Sequence, residues 1–137
     1  MALRLLCILG VAAGSLQHVA CTSTAGDFVI ELDEELSPLG VARFIDLVQA
    51  SFFDDQILYR VIPGFLVQFG VAADPGVMAR WNDKRMKDEP KRAKFQHGTV
   101  SFAGAGKDSR SCHIFIAFAP DGVRLLYVAR QFCIGFS

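Results

Sequence analysis

The sequence predicts a mostly β, antiparallel domain with one amphipathic helix, which is typical of a barrel or a sandwich. Three observations support this fold class. Short apolar runs, some alternating with a period of two, are bounded by turn residues. Twelve Gly and five Pro are spread along the chain, as frequent turns require. A helical period is clear in one segment only.

The composition is that of one folded domain without a dominant charge. The chain has 137 residues, is 52% hydrophobic, and carries 14 basic and 14 acidic residues. This length suits one domain, and the apolar fraction excludes a disordered chain. A formal charge of zero gives no global field that would attract nucleic acid or an anionic membrane. The segment 80–94 is locally basic, but its interleaved charges and Pro90 indicate a solvated loop rather than a nucleic-acid site.

The first predicted elements are a β-hairpin and a helix. Residues 19–23 and 28–32 flank a turn, and the second arm alternates with a period of two, as in a half-buried strand. Ser37 and Pro38 suit an N-cap and a first helical residue. Apolar residues at 41, 44, 45 and 48 then predict an amphipathic helix from Pro38 to about Ala50.

Further strands and two loops are predicted after this helix. Apolar runs predict strands at 57–62, 65–71, 99–103 and 114–118. Pro63-Gly64 turns the chain between the first two of them. Residues 72–96 have no periodicity and are predicted to be a loop, as is the glycine-bearing segment 104–111.

The N-terminus has the pattern of a secretory signal. Arg4 precedes an unbroken apolar run at 5–13, which is too short to span a bilayer, and Ala12 and Gly14 suit a cleavage site. We therefore expect residues 1–14 to be removed, which leaves no stable membrane insertion. The domain would then enter the secretory pathway, in the endoplasmic reticulum lumen or outside the cell. The alternative is a buried strand or helix of the domain, in a cytoplasmic protein.

The reactive residue types form no recognisable metal or nucleophile motif. The cysteines contain no C-x-x-C pair, and the three histidines lack metal-ligand spacing. Cys112 and His113 are adjacent in an extended segment and point to opposite faces, so they cannot share a proton directly. Cys21 and Cys112 are expected to be small buried residues. The segment 104–109 lacks the glycines of either phosphate-binding loop. We expect no metal and no cofactor.

The stretch around Arg60 differs because it places an arginine inside an apolar strand. An unpaired buried guanidinium is costly, so Arg60 is either an edge residue that reaches water or part of a site. The run Arg-Val-Ile-Pro-Gly-Phe-x-x-Gln at 60–68 is followed in order by two further blocks, Gly98–Gly106 and Ser111–Ile116. With the hairpin at 26–32, the Ser37-Pro38 helix and Asp88-Glu89, these segments resemble the cyclophilin family of peptidyl-prolyl cis–trans isomerases.

The resemblance implies a cyclophilin-like antiparallel β-barrel with capping helices and an active groove on its outer face. It implies that Arg60 is the catalytic arginine and that Gln68 and His113 hydrogen-bond the substrate. The implied proline pocket consists of Phe65, Leu66 and Phe115, and the implied backbone rim of Ala103 and Gly104. Strict alternation would not place Phe65 and Gln68 on one face, so Pro63-Gly64 must break the period.

The implied activity accelerates rotation about X–Pro bonds in peptides and folding proteins. The implied partners are proline-containing peptides or unfolded protein clients, with cyclosporin-type ligands as further candidates, and the implied oligomeric state is a monomer. A non-catalytic module that binds proline peptides and a non-functional truncated cyclophilin product are the alternatives.

The chain departs from the family pattern on both sides of the Arg60 run and at its C-terminal end. Leu58-Tyr59 stands where the family has Phe-His, and Phe69 stands where it has Gly. Past Phe118 the family's Trp, groove histidine, further strands and second capping helix are not found. We therefore predict a cyclophilin-like domain at 15–125 that is incomplete at its C-terminus, followed by an unplaced tail at 126–137.

Overall fold

The computed structural model describes residues 2–4, 16–118 and 133–135 of the chain. They contain two helices and nine strands. The helices are α1 (Pro38–Gln49) and α2 (Pro75–Asn82). The strands are β1 (Ala2–Arg4), β2 (Leu16–Ser23), β3 (Phe28–Asp33), β4 (Gln56–Ile57), β5 (Arg60–Ile62), β6 (Leu66–Phe69), β7 (Val100–Phe102), β8 (Ile114–Ala117) and β9 (Cys133–Gly135).

The strands form two antiparallel sheets. One has the order β4-β1-β2-β3-β9 and the other the order β5-β6-β8-β7. The prediction of a mostly β, antiparallel fold with a capping helix is confirmed. The strand pairs of the described residues do not join the two sheets, so closure into one barrel stays a prediction.

The predicted hairpin is the β2–β3 pair. Val19 lies opposite Ile30, and Cys21 lies opposite Phe28. Val19, Cys21 and Ile30 are buried while their neighbours along each strand are more exposed. The turn closes through a hydrogen bond from the Gly26 N–H to the Ser23 carbonyl at 3.2 Å. The period of two in the sequence therefore reflects one face of this hairpin packing on the core.

Helix α1 covers the predicted segment but is capped differently from the prediction. Ser37 occupies the N-cap position, yet its hydroxyl donates to Glu89 Oε2 at 2.6 Å instead of capping the helix. The Glu89 carboxylate accepts from the N–H groups of Leu39 and Gly40, at 2.8 and 3.2 Å. A carboxylate at a helix N-terminus satisfies unpaired N–H groups and favours the macrodipole. Glu89, which lies in the segment after α2, therefore fixes the start of α1.

Aromatic side chains connect α1 to the four-stranded sheet. Phe44 of α1 stacks on Phe53 with ring centroids 5.0 Å apart, and Phe53 lies 5.8 Å from Phe69 of β6. All three residues are almost completely buried, as are Phe52 and Phe102. This core holds one face of the sheet rigidly, which matters because the opposite face carries the predicted site.

Two predictions between residues 57 and 96 were wrong. The predicted strand at 57–62 is two short strands, β4 and β5, because Leu58 and Tyr59 interrupt it. The predicted loop at 72–96 contains α2, in which no residue is buried. The Asp74 side chain caps α2 by accepting from the Val77 N–H at 2.7 Å. Periodicity missed this helix because its apolar residues Val77, Met78 and Trp81 pack against the core while only partly buried.

Parts of both chain ends are strands. β1 pairs with β2, where Leu3 lies opposite Ser23, and with β4, where Ala2 lies opposite Ile57. β9 pairs with β3, where Ile30 lies opposite Ile134. The rest of the predicted signal peptide and of the predicted tail lies outside the described residues, so both predictions remain predictions. Among the described residues, every helix is too short or too polar to cross a bilayer.

Candidate active site

The two faces of the four-stranded sheet carry separate apolar clusters. Val67 and Phe69 of β6 and Ile114 and Ile116 of β8 belong to the main core. Leu66, Phe115 and Ala117 belong to a second cluster. Because side chains alternate along a strand, this second cluster lies on the face opposite the core. We call this face the groove face.

A row of unlike side chains crosses the groove face. Arg60 of β5 lies opposite Gln68 of β6, Gln68 lies opposite Phe115 of β8, and Phe115 lies opposite Ser101 of β7. Side chains that are directly opposite on antiparallel strands point to the same face. A cation, an amide, an aromatic ring and a hydroxyl are therefore neighbours in a fixed order.

The β5–β6 turn sets this register. The Phe65 N–H donates to the Ile62 carbonyl at 3.0 Å, and Gly64 has a φ of 70°. Pro followed by a residue of positive φ is the pattern of a type II turn. The turn leaves Ile62 opposite Leu66, with three residues between them. The prediction that Pro63-Gly64 breaks the alternation is confirmed, because Phe65 packs beside Leu66 while Gln68 remains on the groove face.

The apolar cluster of the groove face is rich in aromatic side chains, and we call it the notch. Leu66 and Phe115 are only 2% and 3% exposed, and Phe65 and Ala103 pack against them. Phe95 completes the cluster, with its ring centroid 5.7 Å from that of Phe115. Sequence analysis missed Phe95 because it lies in a segment without periodicity. The notch is a rigid apolar wall beside the row of polar groups.

The arginine is presented at the open side of this notch. Arg60 is exposed, and its Nη1 donates to Gln68 Oε1 at 3.2 Å. Of the contacts in the described residues, this is its one hydrogen bond. Since a guanidinium has five N–H donors, the remaining donors can reach a bound molecule. Gln68 thus fixes the direction of the cation without neutralising it.

His113 reaches the same group of side chains through Tyr59. The Tyr59 hydroxyl lies 3.3 Å from His113 Nδ1, and the two rings are nearly perpendicular. Burial lowers the pKa of His113 below 6.5, so the imidazole is neutral at pH 7. Burial also raises the pKa of Tyr59, against the opposing charge of Arg60. The sequence indicates Tyr59 only as a departure from the family pattern. Its position directly before Arg60 was the one signal that it lies near the site.

The predicted rim residues lie where β7 meets the following loop. The Ala103 N–H donates to the His113 carbonyl at 2.8 Å, so this donor is used inside the sheet. A Cβ on Gly104 would stand 2.9 Å from Ser109 Oγ and 3.2 Å from Arg110 Cγ, so a side chain fits there only if Ser109 and Arg110 shift. The rim is therefore held by its own loop.

A buried arginine supports this rim loop from below. Arg110 is 2% exposed; its Nε donates to Asp88 Oδ1 at 3.1 Å, and its Nη1 lies 3.7 Å from Glu89 Oε2. The Met86 N–H donates to the Arg110 carbonyl at 2.9 Å. Arg110 thus ties the rim loop to the segment that caps α1. A buried cation needs such paired carboxylates to be tolerated.

The structure brings the sequence-predicted site residues together on the groove face or at its edge. Arg60, Gln68 and Phe115 share the central row, and Gly104 and His113 border it. Phe65, Leu66 and Ala103 form the notch with Phe115. Cys112 is fully buried and Cys21 nearly so, as expected, and neither is in a disulfide. No three His, Cys, Asp or Glu side chains within residues 16–118 converge as a metal site requires.

Comparisons with known proteins agree with this geometry. A family model described as cyclophilin-type peptidyl-prolyl cis-trans isomerase/CLD matches residues 18–125. Peptidyl-prolyl cis-trans isomerase A of Dickeya dadantii is 33% identical over 111 residues, which are 80% of this chain and 58% of that protein. Peptidyl-prolyl cis-trans isomerase-like 1 of Aspergillus oryzae is 30% identical, over 74% of this chain and 65% of that protein. This chain therefore spans less than two thirds of either relative.

A solved structure shares the fold. A cyclophilin-type peptidyl-prolyl cis-trans isomerase of Cryptosporidium parvum superimposes with a TM-score of 0.66 and 22% identity, over 87% of this chain and 75% of that one. A second structure of that protein, obtained in the presence of the dipeptide Ala-Pro, gives a TM-score of 0.61 at 19% identity, over 98% of this chain and 75% of that one.

Proposed function

The chain belongs to the cyclophilin-type peptidyl-prolyl cis-trans isomerase family, and from this premise we propose that it accelerates rotation about X–Pro bonds in peptides and folding proteins. The observation that carries the proposal is the pairing of a directed cation with an apolar notch. Arg60 is held by Gln68 in the row that continues to Phe115.

The reaction requires stabilisation of a twisted amide and no bond cleavage. Rotation about a peptide bond faces a barrier of about 18–20 kcal/mol, and unassisted X–Pro isomerisation takes roughly tens to hundreds of seconds. In the transition state the C–N bond loses its double-bond character, and the prolyl nitrogen becomes pyramidal with a lone pair. A donor directed at that lone pair binds the transition state and not the planar ground states.

Arg60 is suited to supply this donor. Its guanidinium is a planar, delocalised cation that presents its N–H groups in a rigid fork. The hydrogen bond to Gln68 orients the fork before the substrate binds, so little reorganisation accompanies the reaction. One donor engages Gln68, and another can reach the prolyl nitrogen or the carbonyl that turns with it.

The notch supplies the second component of the proposal. The partly buried Phe65 packs on the almost completely buried Leu66 and Phe115, and a pyrrolidine ring can pack against this apolar cluster. Holding the ring still while the preceding residue rotates lowers the entropy lost in reaching the transition state. Apolar walls also exclude water, which favours the less polar twisted amide over the planar one.

Protease-free NMR exchange spectroscopy on a tetrapeptide with one Ala-Pro bond tests the proposal. Substoichiometric chain should produce cis–trans exchange cross-peaks that are absent without it. Saturable shifts of peptide signals without exchange cross-peaks would favour the non-catalytic proline-binding module. A chain that shows no cooperative unfolding by the fluorescence of Trp81, its single tryptophan, would favour the non-functional truncated product.

The proposed partners are proline-containing peptides and unfolded clients. The similar structure obtained with Ala-Pro supports this class of ligand. Cyclosporin-type ligands are proposed to compete for the same notch, which the peptide titration can test by displacement.

The proposed location is the secretory pathway, with removal of residues 1–14. Intact mass spectrometry on the chain expressed in a secreting cell tests this location. The proposal predicts a secreted product that begins at Ser15. Retention of β1 inside the cell would instead favour the cytoplasmic alternative.

A further inference from the structure

Residues 84–94, which we call the basic segment, carry six cations and two carboxylates that the structure uses differently. Both carboxylates are engaged by the protein itself. Asp88 accepts from Arg110 Nε at 3.1 Å, and Glu89 accepts from the Leu39 N–H at 2.8 Å. The cations are all exposed, at Lys84, Arg85, Lys87, Lys91, Arg92 and Lys94. Positive charge therefore dominates the outer surface of the basic segment, although the two signs are interleaved in the sequence.

Hydrogen bonds at two points fix the basic segment beside the groove face. The Asp88 N–H donates to Asp108 Oδ1 at 2.7 Å, and the Asp108 N–H donates to Asp88 Oδ2 at 3.0 Å. Further along the chain, the Gln96 N–H donates to Thr99 Oγ1 at 2.9 Å, and the Thr99 N–H donates to the Gln96 carbonyl at 3.0 Å. Between these points the chain passes from the rim loop to Phe95, which belongs to the notch.

Two cations of the basic segment, Lys91 and Lys94, lie next to the notch. Lys91 Nζ is 5.9 Å from the centre of the Phe95 ring, over its face, and this ring is 5.7 Å from the Phe115 ring. An ammonium at such a distance is attracted by the aromatic face. Lys94 directly precedes Phe95 in the chain and is exposed. The Lys91 ammonium is thus within about 12 Å of Phe115, which roughly three or four extended residues span.

We propose that Lys91 and Lys94 select substrates that carry an acidic residue about three or four positions from the proline. The inference rests on the proposed function, because the notch must hold the prolyl ring for the carboxylate to reach these cations. An exposed ion pair is weak alone, but it adds to the binding of a peptide that the notch already holds. Since both lysines lie away from the rotating bond, they should lower KM and leave kcat unchanged.

NMR titration of the full chain with four nonapeptides tests the inference. Each peptide has capped ends and one central Ala-Pro bond. Two carry a single Glu, three residues before or three residues after the proline, and two carry Gln at the same positions. Because a peptide lies in the groove in one direction, one Glu peptide should have a Kd about 2- to 5-fold below that of its Gln counterpart at low ionic strength. The difference should disappear at about 0.5 M salt, which screens exposed charges.

Two variants with the same change in net charge separate a local effect from a global one. Lys91→Gln combined with Lys94→Gln should remove the preference for Glu and change the Kd of the Gln peptides less than about twofold. Arg80→Glu is the control, because Arg80 is exposed in α2, whose apolar residues pack against the main core. It should retain the preference. Equal unfolding curves by Trp81 fluorescence establish that both variants are folded.

Equal Kd values for each Glu peptide and its Gln counterpart in the wild-type chain would overturn the inference. A preference that survives in the double variant would also overturn it, as would equal peptide Kd values together with saturable binding of a single-stranded oligonucleotide. Exchange cross-peaks with the Gln peptides report on the proposed function separately. If these are absent while a Glu peptide binds more tightly, isomerisation fails and the selection of acidic peptides stands. If none of the four peptides binds, both proposals fail.

Discussion

Gly70 lies against the backbone of His113 so closely that a Cβ on Gly70 would stand 2.7 Å from the His113 Cα. It would stand closer still to the carbonyl oxygen of Cys112. The Gly70 N–H donates to Oε1 of the buried Gln56 at 2.9 Å, which fixes the end of β6. This contact sets how near His113 comes to the groove row, because Gly70 follows Gln68 by only two residues.

Replacing Gly70 by alanine should lower the free energy of unfolding by about 3 kcal/mol or more. Two causes add, since Gly70 has a φ of 109° and no space for a Cβ. Gly26→Ala is a matched control, with a φ of 125° and no atom within 4 Å of the added Cβ. It should cost only the strain of the backbone, about 1–2 kcal/mol. Urea unfolding monitored by Trp81 fluorescence measures the free energy of unfolding of both variants. An equal loss in the two variants would contradict the close-contact explanation.

Replacing Arg110 by alanine should destabilise the fold strongly. The change removes the buried cation that pairs with Asp88 and with the almost buried Glu89, and breaking a buried ion pair costs about 3–5 kcal/mol. Lys87→Ala is the control, because Lys87 is 83% exposed and its ion pair with Asp108 lies at the surface. The control should change the free energy of unfolding by less than about 1 kcal/mol. A cost below about 1 kcal/mol for Arg110→Ala, measured by urea unfolding, would show that this cluster does not support the rim loop.

Replacing Phe95 by leucine should weaken peptide binding. Its ring packs on Phe115 at the base of the notch, so a smaller side chain lets Phe115 move and loosens the apolar wall. We expect the Kd for the Ala-Pro tetrapeptide to rise about 3- to 10-fold. Phe52→Leu is a control of the same chemistry in the main core, and it should lower stability without changing Kd. NMR titration that finds the same Kd in both variants would exclude Phe95 from the site.

The melting temperature should be highest between about pH 6.5 and pH 9 and should fall on both sides. The folded pKa of His113 lies below 6.5, so between the two values the unfolded chain binds more protons and stability is lost as the pH falls. Burial raises the folded pKa of Cys112 above 9.0, so stability is lost as the pH rises past that value. Calorimetry across this range is the measurement. His113→Gln should flatten the acid side below pH 6.5, and an unchanged slope there would contradict this assignment.

Local patterns in the sequence were sufficient to predict a helix or strand where one face of that element is buried against the core. The period of two at 28–32 and the spacing of Val41, Phe44 and Val48 each predicted an element that the structure contains. In helix α2 the residues that face the core, Val77, Met78 and Trp81, are only partly buried. The cap at Asp74 and the stacking of Arg43 and Lys84 on Trp81 also stabilise this helix. Periodicity reports burial and is uninformative for an element of this kind.

The candidate site was predictable only as far as the family resemblance reached. Arg60, Gln68 and Phe115 are 8 and 47 residues apart along the chain, and no local pattern indicates that they lie opposite one another. Phe95 lies in a loop and Tyr59 in the interruption between β4 and β5. Chain reversals bring both segments beside the groove face. Contacts of this kind follow from the register of four strands, which a single sequence specifies only through the whole fold.

The most direct test of the central claim is kcat for the Ala-Pro tetrapeptide with Arg60→Ala beside Arg80→Ala. Arg80 is an exposed arginine in the last turn of α2, outside the groove face. If the Arg60 guanidinium stabilises the twisted amide, Arg60→Ala should lower kcat by about 10²-fold or more while Arg80→Ala leaves it unchanged. Wild-type kcat in the folded Arg60→Ala variant would contradict the account.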